Sequence, residues 1–342
     1  MFERFFQKGF NVKNIIFLIA VILFIIFITK IQDIAIMFFA SFVIACSLDP
    51  LVDKLEIKTK KRSSAAAIVL LSFIAVILAF VIPILVLLGS EIKVFAESLP
   101  HNFNSVYNYI TGLPFIGKLG AFKLDWQGIL STASNYTSNV IDEVINLGIN
   151  LSSAFIYFIV SLIIIFYFMA DKEIIRKTYL KLFPSNMRDK AGKIVDIISK
   201  KIGGYIIALV ATLACVGVIM TLGLSLFRVE YAVMLGIITA VLDIVPVVGP
   251  TIAFIICLIA THESGWGAVI AVIGVFAVAQ LVENQFVRPY VFGKFLDIHP
   301  ILIYLFLFIT AKYMGPVGVI FAPAIAATVC VLIEELYMKN LD

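Results

Sequence analysis

Charge is what this sequence lacks most. Of its 342 residues, 14% are Asp, Glu, Lys or Arg and 62% are hydrophobic, whereas a soluble domain uses about a quarter charged residues to wet its surface. That balance excludes a water-soluble globular protein. The four cysteines, Cys46, Cys215, Cys257 and Cys330, each lie inside an apolar run and at no metal-like spacing. They read as small buried hydrophobes, not as disulfides or metal ligands. No Gly-Lys-Ser/Thr phosphate loop occurs, which argues against ATP-driven transport by this chain alone. His-Glu-x-x-His, Cys-x-x-Cys and Gly-x-Ser-x-Gly are absent too, so neither enzyme chemistry nor a cofactor is implied. An intramembrane aspartyl protease needs two membrane acids, and one qualifies. Basic residues do not interleave with aromatics outside the apolar runs, which sets nucleic acid aside as a partner.

What is present is a series of long uncharged apolar runs, the mark of a lipid environment in which about 20 residues make one helical crossing. Crossings are expected at Asn14–Thr29, Asp33–Leu48, Ser64–Gly89, Leu151–Ala170 and Ile202–Phe227. Arg4, Lys8 and Lys13 precede the first run as in a signal peptide, but no small-x-small cleavage site ends it. It is therefore expected to stay as the first membrane helix.

Lys and Arg distribution sets the expected orientation. The N-terminal tail has three basic residues; 49–63 has Lys54, Lys58, Lys60, Lys61 and Arg62; 171–201 has nine. Only Lys93, Lys118 and Lys123 fall in 91–150. The first three segments then belong in the cytoplasm and 91–150 outside, an assignment that alternates correctly over five helices. Segment 91–150 reads as amphipathic pieces on the outer face, and 171–201 as two short helices broken at Phe183-Pro184-Ser185.

From residue 231 the apolar runs change character, because Pro and Gly cut them in their middles. Tyr231–Val245 meets Pro246-Val-Val-Gly249-Pro250, and Ile301–Lys312 meets Tyr313-Met-Gly315-Pro316-Val-Gly318. The arms are too short to span singly. Each break is either a kinked crossing or a re-entrant hairpin, and opposed hairpins around the run Trp266–Leu281 satisfy the charge rule better. Ile238-Thr-Ala240 and Ile309-Thr-Ala311 precede the two breaks, a faint likeness of the kind found in inverted repeats. The expected architecture is all-α and polytopic, with about eight membrane segments. It divides into three N-terminal helices (1–90), the external segment (91–150), two helices joined in the cytoplasm (151–230) and a transport core (231–342).

Candidate pathway residues gather in that core. Pro246, Gly249 and Pro250 free backbone groups that lipid tolerates only beside a cavity or inside protein. Asp243 is the acid within this apolar stretch, and a carboxylate at membrane depth usually faces a cavity, a cation or a proton; capping a broken helix end is the plainer role. Gln280, Glu283, Asn284 and Arg288 fall near one helical face, either contacting solute or forming a solvated Glu283–Arg288 pair. His299 binds a proton or caps the next helix. Lys312 stands before the second tip, with Gly315 and Pro316, and either pairs with Asp243, holds an anion, or snorkels.

These motifs, in order, are Asp243-Ile-Val-Pro-Val-Val-Gly-Pro250, Gln280-Leu-Val-Glu-Asn284, Arg288-Pro-Tyr-Val-Phe-Gly-Lys294, Leu296-Asp-Ile-His-Pro300, Gly315-Pro-Val-Gly318 and Ala322-Pro323. Together they resemble the AI-2E family, the autoinducer-2 exporters, over essentially the whole chain. The resemblance implies an ATP-independent, multi-pass transporter of a bacterial inner membrane, homo-oligomeric, with both termini cytoplasmic. Members are assigned either to export of the quorum-sensing signal autoinducer-2 or to Na⁺(Li⁺)/H⁺ antiport. The match carries over to Pro246, Gly249, Pro250, Glu283, Asn284, Pro289, Gly293, His299 and Pro300. One departure stands out: Gly204-Tyr205 is followed by Ile206-Ile-Ala-Leu209, where the family often has a basic residue, Gly and Gln. The expected partners are membrane lipid and a small solute or monovalent cation, with a non-transporting scaffold as the reading from another class.

Overall fold

The computed structural model describes residues 32–79, 81–82, 151–261, 264–291 and 298–336. The first expected crossing, the whole external segment 91–150 and the chain's last residues lie outside these. The described chain is all-α, as a bilayer requires of backbone that must satisfy its own polar groups. Its helices are α1 (Gln32–Thr59), α2 (Arg62–Ala79), α3 (Leu151–Ala170), α4 (Lys172–Leu180), α5 (Arg188–Leu226), α6 (Ala232–Leu242), α7 (Val248–Thr261), α8 (Trp266–Val282), α9 (Arg288–Val291) and α10 (Pro300–Leu336). A π-helical turn, Glu283–Val287, joins α8 to α9. Among the described residues, five helical stretches, with α10 counted whole, are long and apolar enough to cross a membrane, and α3 with α4, bent by 80° at their junction, makes a sixth.

The segment 171–201 differs from its expected two short helices. α4 is one of them, and the chain breaks after it at Pro184 as foreseen. The second is no separate piece, because Arg188 starts a helix that runs unbroken into the crossing. Nothing after Met187 interrupts the helical hydrogen bonds, and the apolar row Ile194, Ile198 and Ile202 stays buried through the join.

α5 is the spine of the bundle. Its C-terminal half packs with α6, α7 and α8 around Met220, Leu224, Leu235 and Val272. Its N-terminal half packs with α1 and α10 around Ile202, Tyr205, Val43 and Val331. α1 in turn holds α2 and α3 through Val52, Ala66 and Met169.

Both Pro/Gly breaks are hairpins. In a straight helix, residues seven or eight apart are separated by about 10–12 Å along the axis. Yet a Cβ built on Gly249 would lie 1.7 Å from the carbonyl oxygen of Leu242, and one on Gly318 would lie 2.2 Å from that of Thr310. Glycine is required at both because backbone meets backbone there. Thr310 Oγ1 also donates to the Gly318 carbonyl at 2.8 Å, across the turn. Gly315 makes that turn, with φ 61° and ψ −147° inside α10, a region open to little but glycine.

Candidate functional site

The first hairpin presents Asp243 at the end of α6. The residue is 4% exposed; neither carboxylate oxygen receives a hydrogen bond while both acids are ionised, and the Glu283 carboxyl becomes a hydrogen-bond partner once either group holds a proton. It therefore does not cap the broken helix, the plainer of its two expected roles. Its side chain borders a cavity of about 190 Å³ whose polar lining is Tyr205, Thr212, Asp243 and Arg288, with Pro246 and Pro323 among the apolar walls. The charges that act on Asp243 are Glu283, which repels it, and Arg288, which attracts it.

Glu283 is fully buried. Arg288 Nε donates to its Oε1 at 2.6 Å, Arg288 Nη2 lies 2.5 Å from the same oxygen, and Gln280 Nε2 donates to Oε2 at 3.0 Å. The π turn makes this possible. Residues five apart on an α-helix stand about 140° apart around the axis, but the wider turn at Glu283–Val287 brings 283 and 288 onto one side. Such single π turns occur frequently at functional sites. The pair is thus not a solvated helix end. With both acids ionised, two carboxylates and one guanidinium would leave the cluster one negative charge, inside the bundle.

The tip between α6 and α7 is strained. Val247 has φ 68°, and Val248 N donates to the Pro246 carbonyl at 2.8 Å, closing a three-residue γ-turn in its rare, strained form. A β-branched residue in that region is an outlier, of the sort that clusters at ligand sites.

The other expected residues are placed less centrally. Gly249 and Pro250 are buried where α7 begins, closing the hairpin. Asn284 is exposed. His299 is exposed, and its Nδ1 accepts from Ile301 N at 3.3 Å, so it caps α10. Lys312 is also exposed, with Nζ 5.5 Å from the Tyr313 ring centroid, and does not pair with Asp243. Gly315 and Pro316 form the second tip, which lines no part of the cavity; α10 contributes Ile303 and Pro323 from its two arms. Sequence reasoning missed Tyr205, Leu209, Thr212 and Ile303 as lining residues. Tyr205 had a signal, since it follows two glycines in an apolar run, and its hydroxyl donates to the Ile320 carbonyl at 2.8 Å, tying α5 to α10. Among the described residues, no group of His, Cys, Asp and Glu is arranged to hold a metal ion.

Known proteins share this pattern. YrrI of Bacillus subtilis, whose name classes it among transport proteins, is 26% identical over 276 residues, covering 76% of this chain and 73% of its own. YueF of the same organism, similarly named, is 30% identical over 167 residues, about half of each chain (48% and 45%). PerM of Escherichia coli, named a permease, is 22% identical over 282 residues, covering 80% of this chain and 79% of its own. The model of the AI-2E family transporters matches residues 15–338, which takes in the hairpins, the buried Glu283–Arg288 pair and the cavity between them: this chain belongs to the AI-2E transporter family.

Proposed function

We propose that this membrane transporter is an ATP-independent secondary exporter of a bacterial inner membrane, which moves a small polar solute of the autoinducer-2 kind in exchange for a proton or monovalent cation taken up at Asp243. One observation carries the reading: a carboxylate buried to 4% exposure that no hydrogen-bond donor reaches, beside a second carboxyl and on a cavity at a strained hairpin tip. An unpaired charge in a medium of low polarity is costly, and a bound proton or cation relieves that cost. A group that must be neutralised to be stable supplies a coupling site. The cavity, about 190 Å³, is smaller than the roughly 300–1,000 Å³ of sites for drug-sized ligands, which supports a small solute.

The cluster's leftover negative charge also favours a second reading, Na⁺(Li⁺)/H⁺ antiport with the two cations alternating at Asp243. A scaffold without transport has no use for the unpaired carboxylate. The test is transport by the purified full chain in proteoliposomes with a pH or Na⁺ gradient imposed in turn. Solute efflux driven by either gradient, at least tenfold slower in Asp243→Asn at equal reconstitution, is the expected result. Sodium-driven proton movement with no solute requirement selects the antiport reading. Wild-type rates in Asp243→Asn for both solute and protons overturn the role of Asp243.

A further inference from the structure

A second concave feature lies far from the cavity along the chain, between α1 and α2. The two helices turn at residues 59–61, where Lys60 has φ 58°, and pack closely through Val52, Leu48, Ala66 and Val69. Beside that seam runs a groove of about 510 Å³, lined from α1 by Leu51, Lys54 and Lys58 and from α2 by Ile68, Ser72 and Val76. Its apolar walls have no cover among the described residues: Leu51 is 52% exposed, Ile68 48% and Val76 54%. Along α2, which enters its expected crossing at Ser64, the wall from Ile68 to Val76 extends about 12 Å, less than half the thickness of a hydrocarbon core of about 30 Å. It fits one leaflet.

Its charge is segregated. The acids of this stretch face the other way: Arg62 binds Asp49 at 2.5 Å, Asp53 at 2.7 Å and Glu56 at 2.9 Å, and Lys172 also pairs with Asp49. Lys54 and Lys58, one helical turn apart, have no ion pair among the described residues. Both stand toward the corner end, and the apolar walls continue away from it. A positive pair at one end and an uncovered apolar slot behind it match an amphiphile with an anionic head. A water-soluble anion has no use for the slot, and a zwitterionic lipid gains little from two unpaired ammonium groups.

We propose that this groove binds an anionic phospholipid, with its phosphate at Lys54 and Lys58 and an acyl chain along Ile68, Ser72 and Val76. Juxtamembrane lysines attract anionic headgroups by an amount worth about fivefold in affinity each. The positive-inside pattern puts the α1–α2 corner on the cytoplasmic side, against the leaflet where anionic lipid is available.

The test is native mass spectrometry of the full-length protein released from detergent with phosphatidylglycerol or phosphatidylcholine added. Wild type is expected to retain phosphatidylglycerol preferentially, and Lys54→Gln/Lys58→Gln to lose that preference by about thirtyfold. Lys60→Gln/Lys61→Gln, next to the groove but not lining it, is the matched control and is expected to keep it. Ser72→Trp, which fills the slot, is expected to release lipid of either headgroup. Circular dichroism and thermal midpoint identify variants that fold as wild type. Equal loss in the two lysine pairs means a general basic surface and overturns the proposal. So does retention in Lys54→Gln/Lys58→Gln or in Ser72→Trp, or a photo-crosslinker at Ser72 that captures residues 1–31 in place of lipid.

Discussion

Glu283 and Arg288 show how one turn of backbone converts a spacing into a site. Glu283 is fully buried, and Arg288 meets it with a side chain that is 33% exposed. Removing one partner of a buried pair leaves an uncompensated charge, which costs about 3–5 kcal/mol. Arg288→Gln is therefore expected to destabilise the protein by about 3 kcal/mol, the low end of that range because water reaches the guanidinium. Glu283→Gln/Arg288→Gln is expected to recover part of the loss. Thermal unfolding in detergent micelles measures both, and a double variant no better than Arg288→Gln would show that the pair does not act as a unit. Val247 gives the opposite expectation. Glycine accepts φ 68° without clash, so Val247→Gly is expected to raise stability by roughly 1 kcal/mol, the scale of one strained residue. If tip strain aids transport, the same variant exchanges solute more slowly although it is more stable. A stable variant with wild-type flux removes the strain from the mechanism.

At the scale of elements, much of the core was legible, and each failure has a definite cause. Pro and Gly in mid-run marked both breaks, because they free backbone groups that lipid cannot satisfy. In the shared Ile-Thr-Ala, Thr239 and Thr310 are buried and return their hydroxyls to the carbonyls of Leu235 and Phe306, each at 2.7 Å, a bond that Thr212, Thr261 and Thr328 also make and that carries no repeat. The choice between hairpin and kinked crossing was not settled by sequence, because it rests on contacts across the turn. The buried Glu283–Arg288 pair was seen as a possible pair but read as solvated, since α-helical spacing does not converge them and the π turn has no sequence signature of its own. Of the roles expected of Lys312, the pairing with Asp243 is absent, because its side chain is exposed and lies over the Tyr313 ring. Closure at Gly318 can be tested directly. Gly318→Val drives a side chain into the Thr310 carbonyl, 2.2 Å from an ideal Cβ, so the arms must part. The expected cost is about 2–3 kcal/mol, in the range of overpacking a tight core. Gly274→Val, on α8 where an added Cβ meets nothing within 4 Å, is the matched control. Equal melting temperatures for the two variants would remove the close approach from the fold.

The whole molecule joins two segments that charge counting put on the same side. Arg62, at the start of α2, donates from Nε to the Met169 carbonyl near the end of α3 at 2.7 Å, and Lys172 pairs with Asp49 of α1. The corners at 59–61 and 171 therefore share one end of the bundle, as cytoplasmic placement of 49–63 and 171–201 requires. α5 supplies the scale. Its 39 residues measure about 58 Å at 1.5 Å each, nearly twice a hydrocarbon core of about 30 Å. Its charged start, Arg188 to Lys201, must stand in water while Ile202 onward crosses, so Arg228 emerges on the opposite side. Single cysteines at Lys60, Ser185 and Arg228, in a background with the four native cysteines replaced by alanine, turn this into a sidedness measurement. With a membrane-impermeant maleimide, Lys60→Cys and Ser185→Cys are expected to label in inverted vesicles and Arg228→Cys in intact cells. Labelling of positions 60 and 185 from opposite faces contradicts the Arg62–Met169 contact itself. Labelling of all three from the intact-cell side keeps that contact but rules out α5 as a crossing between its charged start and Arg228.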